Sequence, residues 1–258
     1  MSTAASESPF DWEQLLANII TEDDEPVDNM TSATQQRLLV TPLYDSWTPP
    51  PPEDEHADEP EAKRKFLATS NVGVFSKPEN NPLVPDMLLS LDVETPYDWE
   101  AKVHRSYFIW HFGKPPDVVV EIVSNKEGHE LDTKLKRYAQ MDVTYYVVYD
   151  PQQLLSNDVL RVYERGFAGR RYRRRQDYQL PEIGLNLTLW EGTYEDGTGV
   201  WLRWCDADGN LIPTGAEGRE AEAARAAQAE ARAAQVESDN ARLRAELEQL
   251  RKQLESRA

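Results

Sequence analysis

A single cysteine, Cys205, stands among the 258 residues, which excludes an internal disulfide and any cysteine-rich zinc site. Long apolar runs are also missing: nothing approaches the ~20 apolar residues that cross a bilayer. The opening MSTAASESPFDWEQLL has neither the basic start nor the apolar core of a secretory signal. These absences predict a soluble cytoplasmic protein without membrane contact. No P-loop, Gly-rich dinucleotide turn or serine nucleophile elbow occurs, and His56, His104, His111 and His129 lack metal-ligand spacing.

Positive charge is scarce too, with 28 basic residues against 46 acidic and a net charge of −18. A polyanionic partner is disfavoured by that balance, but the charge is unevenly spread. Residues 1–62 hold 15 acidic side chains against Arg37 alone, net −14, which leaves −4 for the other 196. Residues 161–175 carry Arg161, Arg165, Arg170, Arg171, Arg173, Arg174 and Arg175 against Glu164. Salt screens charges beyond roughly 10 Å, so a local basic strip can act despite the global sum. Such a strip could track a nucleic-acid backbone, or be solvated surface.

What is present divides into three zones. Residues 1–62 are an acidic segment with an amphipathic stretch (Phe10 to Ile20), an acidic run (Glu22 to Glu25) and a helical patch near Ser32–Trp47. Pro42 should break that patch or end it. The run TPPPPEDEHADEPEA (48–62) reads as an extended surface loop.

Residues 63–215 read as an α/β domain. FLATSNVGVFS (66–76) and LVPDMLLSLDV (83–93) look like paired strands, followed by SYFIWHF (106–112) and DVVVEIVS (117–124). The last is a β-branched run suited to a strand buried on both faces. HELDTKLKRYAQM (129–141) has helical spacing, with Leu131, Leu135, Tyr138 and Ala139 on the buried side. VTYYVVYDP (143–151) is a further strand, and VLRVYERG with GRRYRRR forms a hairpin around Phe167–Gly169. Strands with one intervening helix predict a mixed sheet flanked by helices.

Residues 216–258 form a helix with heptads: Asn240, Leu247 and Leu254 at a, Val236, Leu243 and Leu250 at d. Ala226, Ala229 and Ala233 extend the seam. A lone Asn at position a favours a parallel pair, and Asp239–Arg244 and Glu246–Arg251 provide opposite charges across it. The expectation is a homodimer through 226–254, the alternative a solvated single helix.

Two carboxylates interrupt apolar strands. Asp86 follows Pro85, and Glu121 lies inside DVVVEIVS. A bare charge there is costly unless it is paired or binds a metal. On neighbouring strands the two could meet at ~5 Å, a geometry that suits Mg²⁺ or Mn²⁺ with water and phosphate filling the other positions. Asp117 is ~13 Å farther along and ends the turn instead. Lys134, one turn into the next helix, can reach back over the strand face past the uncharged Val123. Lys136, about 200° around the helix, points elsewhere, and Tyr138 lies on the Lys134 stripe. The plainer readings are an edge or Arg-paired carboxylate and a solvated lysine.

The run PPDVVVEIVSNKEGHELDTKLKRYAQMDVTYYVVYDP (115–151), with VPDMLLSLDV upstream and LPEIGLNLTLWEGTYEDG downstream, resembles the Uma-two family of restriction endonucleases, a branch of the PD-(D/E)XK nuclease superfamily. The resemblance implies a restriction-endonuclease-like fold, Asp86 and Glu121 as metal ligands, Lys134 as the catalytic lysine moved from the Val123 position, and DNA as substrate. Relatives carry a histidine in the first helix, where this chain has Gln35 and Gln36. The alternatives are a catalytically silent nuclease-fold protein that binds DNA or assembles through its C-terminal helix, and a structural adaptor working through that helix.

Overall fold

The computed structural model describes residues 30–51, 64–94, 98, 100–126, 128–166 and 171–256. The stretch Phe10 to Ile20, the acidic run Glu22 to Glu25, most of the loop at 48–62, the turn at Phe167–Gly169 and Arg170 lie outside these. In chain order the first elements are helix α1 (Met30–Ser46), strands β1 (Phe66–Thr69), β2 (Val74–Phe75), β3 (Met87–Leu91) and β4 (Tyr107–Phe108), helix α2 (Ile109–Phe112) and strand β5 (Val118–Ile122). A π-helical turn (Glu130–Lys134) runs into α3 (Leu135–Gln140). Then follow β6 (Tyr145–Tyr149), β7 (Leu160–Arg165), β8 (Tyr172–Arg174), β9 (Gln179–Leu180), β10 (Leu185–Tyr194), β11 (Gly197–Asp206) and the long helix α4 (Gly215–Glu255).

The unbroken apolar runs take the centre. β5 and β6 are buried at every position, as β-branched and aromatic residues covered on both faces should be. They pair in parallel, Glu121 opposite Val148, and the π-turn with α3 supplies the crossover a parallel pair requires. The six-stranded order is β1-β3-β5-β6-β7-β8. β3 runs antiparallel to β5 with Met87 opposite Val120. The result is a mixed sheet flanked by helices.

One face of the sheet, through Val118, Val120, Tyr145 and Val147, packs under Leu39 and Leu43 of α1 and Trp204 of β11. The other, through Val119, Val123, Tyr146 and Val148, packs under Tyr138 and Met141. The chain forms two compact units, Met1–Ile212 and Pro213–Ala258. In the second, α4 opens with a reciprocal cap between Thr214 and Glu217. Its Val236, Leu243, Leu247, Leu250 and Leu254 are all exposed.

Several expectations are corrected. α1 runs through Pro42 without ending. Proline inside a helix costs ~3 kcal/mol, but burying Leu38, Leu39 and Leu43 around it returns ~1.5–3 kcal/mol each. The 66–76 run splits, with β2 leaving the main sheet to pair with β4. The 106–112 run is a strand only at Tyr107–Phe108 and then turns helical. Leu131 does not join the buried side of its helix: it is 36% exposed and Glu130 is 5% exposed in its place. The cause is the π-turn, where Lys134 N–H donates to His129 O, five residues back, at 3.1 Å. One extra residue in a turn shifts the phase of every residue before it. The β10–β11 hairpin, paired over ten residues each, is an element the sequence reading did not assign.

Candidate functional site

Continuing the β3–β5 register by one residue sets Asp86 opposite Glu121, on the face that α3 covers. The two carboxylates therefore do share a face. Glu121 is 2% exposed. Its Oε1 accepts from the Tyr138 hydroxyl at 2.8 Å and its Oε2 from Lys134 Nζ at 2.7 Å. Lys134 and Tyr138 are one α-helical turn apart, so one stripe of the helix delivers both. Asp86 Oδ2 accepts from the Ile122 amide at 2.5 Å, and Oδ1 from Gln36 Nε2 at 3.0 Å.

The electrostatics follow from burial. Loss of water pushes the Glu121 carboxyl up to about 7; the Lys134 ammonium opposes this and the Asp86 charge reinforces it. Burial alone would pull Lys134 down, but Glu121, then Glu130 and Asp86, outweigh it and hold the ammonium above its ordinary range. Tyr138 is driven well up by burial and by the Glu121 charge. It stays a hydroxyl, and hence a donor, across the physiological range.

Two more residues reach the site, one from the first-helix position that the resemblance left open between Gln35 and Gln36, the other not read from the sequence at all. Gln36 of α1 bridges Asp86 to Asn71, whose amide donates to Gln36 Oε1 at 3.0 Å. Its neighbour Gln35 points away and grips the backbone of Leu202 through both ends of its amide, at 2.8 and 3.0 Å. One glutamine anchors α1 on the hairpin and the other presents an amide to Asp86. Glu130 is the second. Its Oε1 lies 3.7 Å from Lys134 Nζ, while its Oε2 is buried with no hydrogen-bond partner. The helical phase pointed at Leu131, so no signal in the sequence singled Glu130 out. A cleft of about 190 Å³ lined by Ser32, Gln35, Ile122, Val123, Tyr149 and Trp201 opens beside the ends of β5 and β6.

Other candidates take different places. Asp117 caps the turn, accepting from Lys114 and from the Leu91 amide. Arg161 is 3% exposed and its guanidinium bonds Ser156, so it is not part of an exposed basic strip. Arg165 pairs with Asp142, Arg173 and Arg175 with Glu164, and Arg174 with Asp158. Arg171 is exposed, and Arg173 remains 80% exposed in spite of its partner. The heavy Arg content of the hairpin is therefore largely balanced, by Glu164 within the run and by Asp142 and Asp158 outside it.

Among the described residues no three His, Cys, Asp or Glu side chains are placed to hold a metal ion, so this is no all-protein cage. The set does fit a hard divalent cation held by two carboxylates, with water and phosphate oxygens completing its shell. Asp86, Glu121, Glu130 and Lys134, all ionised, would sum to −2.

A mixed sheet flanked by helices, with acidic groups on its central strands, is the architecture of the restriction-endonuclease-like class of nuclease folds. The Uma2 family model, described as "Putative restriction endonuclease", matches residues 52–190, and the chain belongs to that family. The match takes in β3, β5, the π-turn and α3, and so all of Asp86, Glu121 and Lys134. Families of this class generally use divalent metals. No curated protein and no solved structure matches the chain. Among the described residues no helix is long and apolar enough to cross a membrane.

Proposed function

We propose that the chain is a DNA endonuclease dependent on Mg²⁺ or Mn²⁺, with Asp86 and Glu121 as the metal ligands and Lys134 as the catalytic cation. The observation that carries the reading is Glu121: a carboxylate 2% exposed on a central strand, opposite Asp86 and bonded by Lys134. A charge so buried is expensive to maintain, and an ion-binding or catalytic role explains its presence.

A divalent cation on the two carboxylates would polarise the scissile phosphate and lower the pKa of a bound water. The chain's own groups do the rest. Gln36 and the Ile122 amide aim Asp86, while Tyr138 fixes the rotamer of Glu121 by donating to Oε1. Lys134 brings its ammonium to the same point, where it can orient the attacking water or offset negative charge building on the phosphate. The exposed Arg171 and Arg173, on and beside the edge strand β8, offer cations for a DNA backbone elsewhere on the surface, in keeping with a nuclease family.

The test is nicking of supercoiled plasmid with Mg²⁺ or Mn²⁺. The wild type should nick and Asp86→Ala should not, with its fold intact by circular dichroism. Plasmid binding without nicking by the wild type would instead support the silent, DNA-binding reading.

A second element concerns assembly. The exposed leucines of α4 support a parallel homodimer through 226–254, since an apolar seam left in water is a liability that a second copy removes. We place the protein in the cytoplasm on the same grounds as the nuclease reading: its substrate is DNA, and its single cysteine is buried and free.

A further inference from the structure

Lys134 occupies Glu121 Oε2 at 2.7 Å, the same carboxylate that the proposed reading gives to a divalent cation. Oε1 is already taken by Tyr138. A cation and an ammonium repel, so one of them must yield the shared oxygen. The structure holds a second acceptor for the ammonium. Glu130 sits four residues before Lys134, its Oε1 3.7 Å from Nζ and its side chain 6% exposed. Its Oε2 has no protein donor, and leaving a buried carboxylate oxygen unpaired costs a few kcal/mol. The fold nonetheless holds it there. Tyr146 on β6 donates to the Glu130 carbonyl at 2.9 Å, fixing the backbone, and the π-turn rotates the residue inward. The carboxylate lies over Gly128, where an added Cβ would stand 1.8 Å from Oε1 and 2.6 Å from Cδ.

We propose that Glu130 is a positioning residue for Lys134: it receives the ammonium when a divalent cation takes Glu121, and so holds the lysine at the site of the reaction. The inference rests on the metal-site reading above and adds to it a carboxylate that acts through Lys134 and not on the cation. Displacement of Nζ by about 1 Å would turn the 3.7 Å contact into a charge-assisted hydrogen bond. Without Glu130 the carboxylates left beside the ammonium are Glu121 and Asp86, the two assigned to the cation, so the ammonium competes with it.

A double-mutant cycle on the full chain tests this, with Mg²⁺ alone and Mn²⁺ alone as titrants in calorimetry. Glu130→Gln should weaken cation binding roughly ten- to hundredfold, as loss of an outer-shell partner does. In the Lys134→Met background the same substitution should change affinity less than about threefold, because the competing ammonium is gone. Gly128→Ala, which leaves the carboxylate in the chain but drives it off its seat, should reproduce the Glu130→Gln loss. A second readout is the nitrogen resonance of the Lys134 ammonium, which should shift on adding Mg²⁺ to the wild type and lose its order on adding Mg²⁺ to Glu130→Gln. An equal loss in both lysine backgrounds would overturn the proposal in favour of direct action on the cation, and no loss in either would remove Glu130 from the site. Absence of any cation binding by the wild type would take down the metal-site reading itself, a result distinct from both.

Discussion

The two faces of the central sheet come from the same strands, one residue out of step, and their chemistry is opposite. On one, Val118, Val120, Ile122, Tyr145, Val147 and Tyr149 meet α1 and the β10–β11 hairpin in an apolar layer. On the other, Asp86, Glu121 and Arg161 lie among Val119, Val148 and the ring of Tyr138. Alternation makes this division possible, since a strand can commit every second residue to packing and the rest to a site. The apolar face anchors the strands. The other face can then carry buried charge that the sheet alone would reject.

If that division holds, damage to the two faces should differ in kind. Leu39→Ala, on the apolar side and fully buried, should cost about 2–5 kcal/mol by urea unfolding, while the folded fraction still binds Mg²⁺. Reduced cation affinity at full stability would break the contrast.

Glu121→Gln should do the reverse. The folded carboxyl titrates near 7 and its ordinary value is 4.5, so between those pH values the unfolded chain gives up a proton that the folded chain keeps. Wild-type stability therefore falls, relative to the Gln variant, as pH rises from about 4.5 to 7, and the penalty is complete above that. Without metal, the variant should be the more stable at pH 8 by on the order of 3 kcal/mol, and equal to the wild type near pH 4. Thermal melts across pH in chelator read this directly; a wild type that gains on the variant with rising pH would show that the Lys134 pairing outweighs burial.

The smallest effect is expected outside the sheet. Leu247→Lys on α4 should leave the unfolding of the α/β unit within about 0.5 kcal/mol, yet turn a dimer into a monomer by light scattering. A wild type that is already monomeric at micromolar concentration would remove the α4 pairing.

How legible these regions were depends on the range of the interactions that form them. β5, β6, α3 and the β7–β8 hairpin follow from apolar runs and periodicity within a dozen residues. The β10–β11 hairpin was harder to see because its outer part, 191–194 with 197–200, buries no residue fully and alternates only between exposed and half-buried positions, three of them glycines. Its turn is Glu195–Asp196 with both φ positive (46° and 64°), conformations usually signalled by Asn-Gly. The Asp196–Gly197 pair after LNLTLWEGTY was the available cue. Pro42 misled for a different reason: local propensity argued for a break, and burial won.

The site shows the same divide. Asp86, Glu121 and Lys134 could be named from charges set in apolar strands and from a family resemblance, because placing a carboxylate in a buried run is a decision visible in the residues themselves. Glu130 could not, and for Gln36 the resemblance marked only its place beside Gln35 in the first helix, not its contact with Asp86. One is an amide brought to Asp86 by a helix 50 residues earlier, the other an acid turned inward by a one-residue slip in helical phase. Sequence alone determined which strands would be buried and which charges would be costly there. Only the tertiary structure decided which groups meet those charges, because register between strands and phase within a helix are set by packing partners far away in the chain.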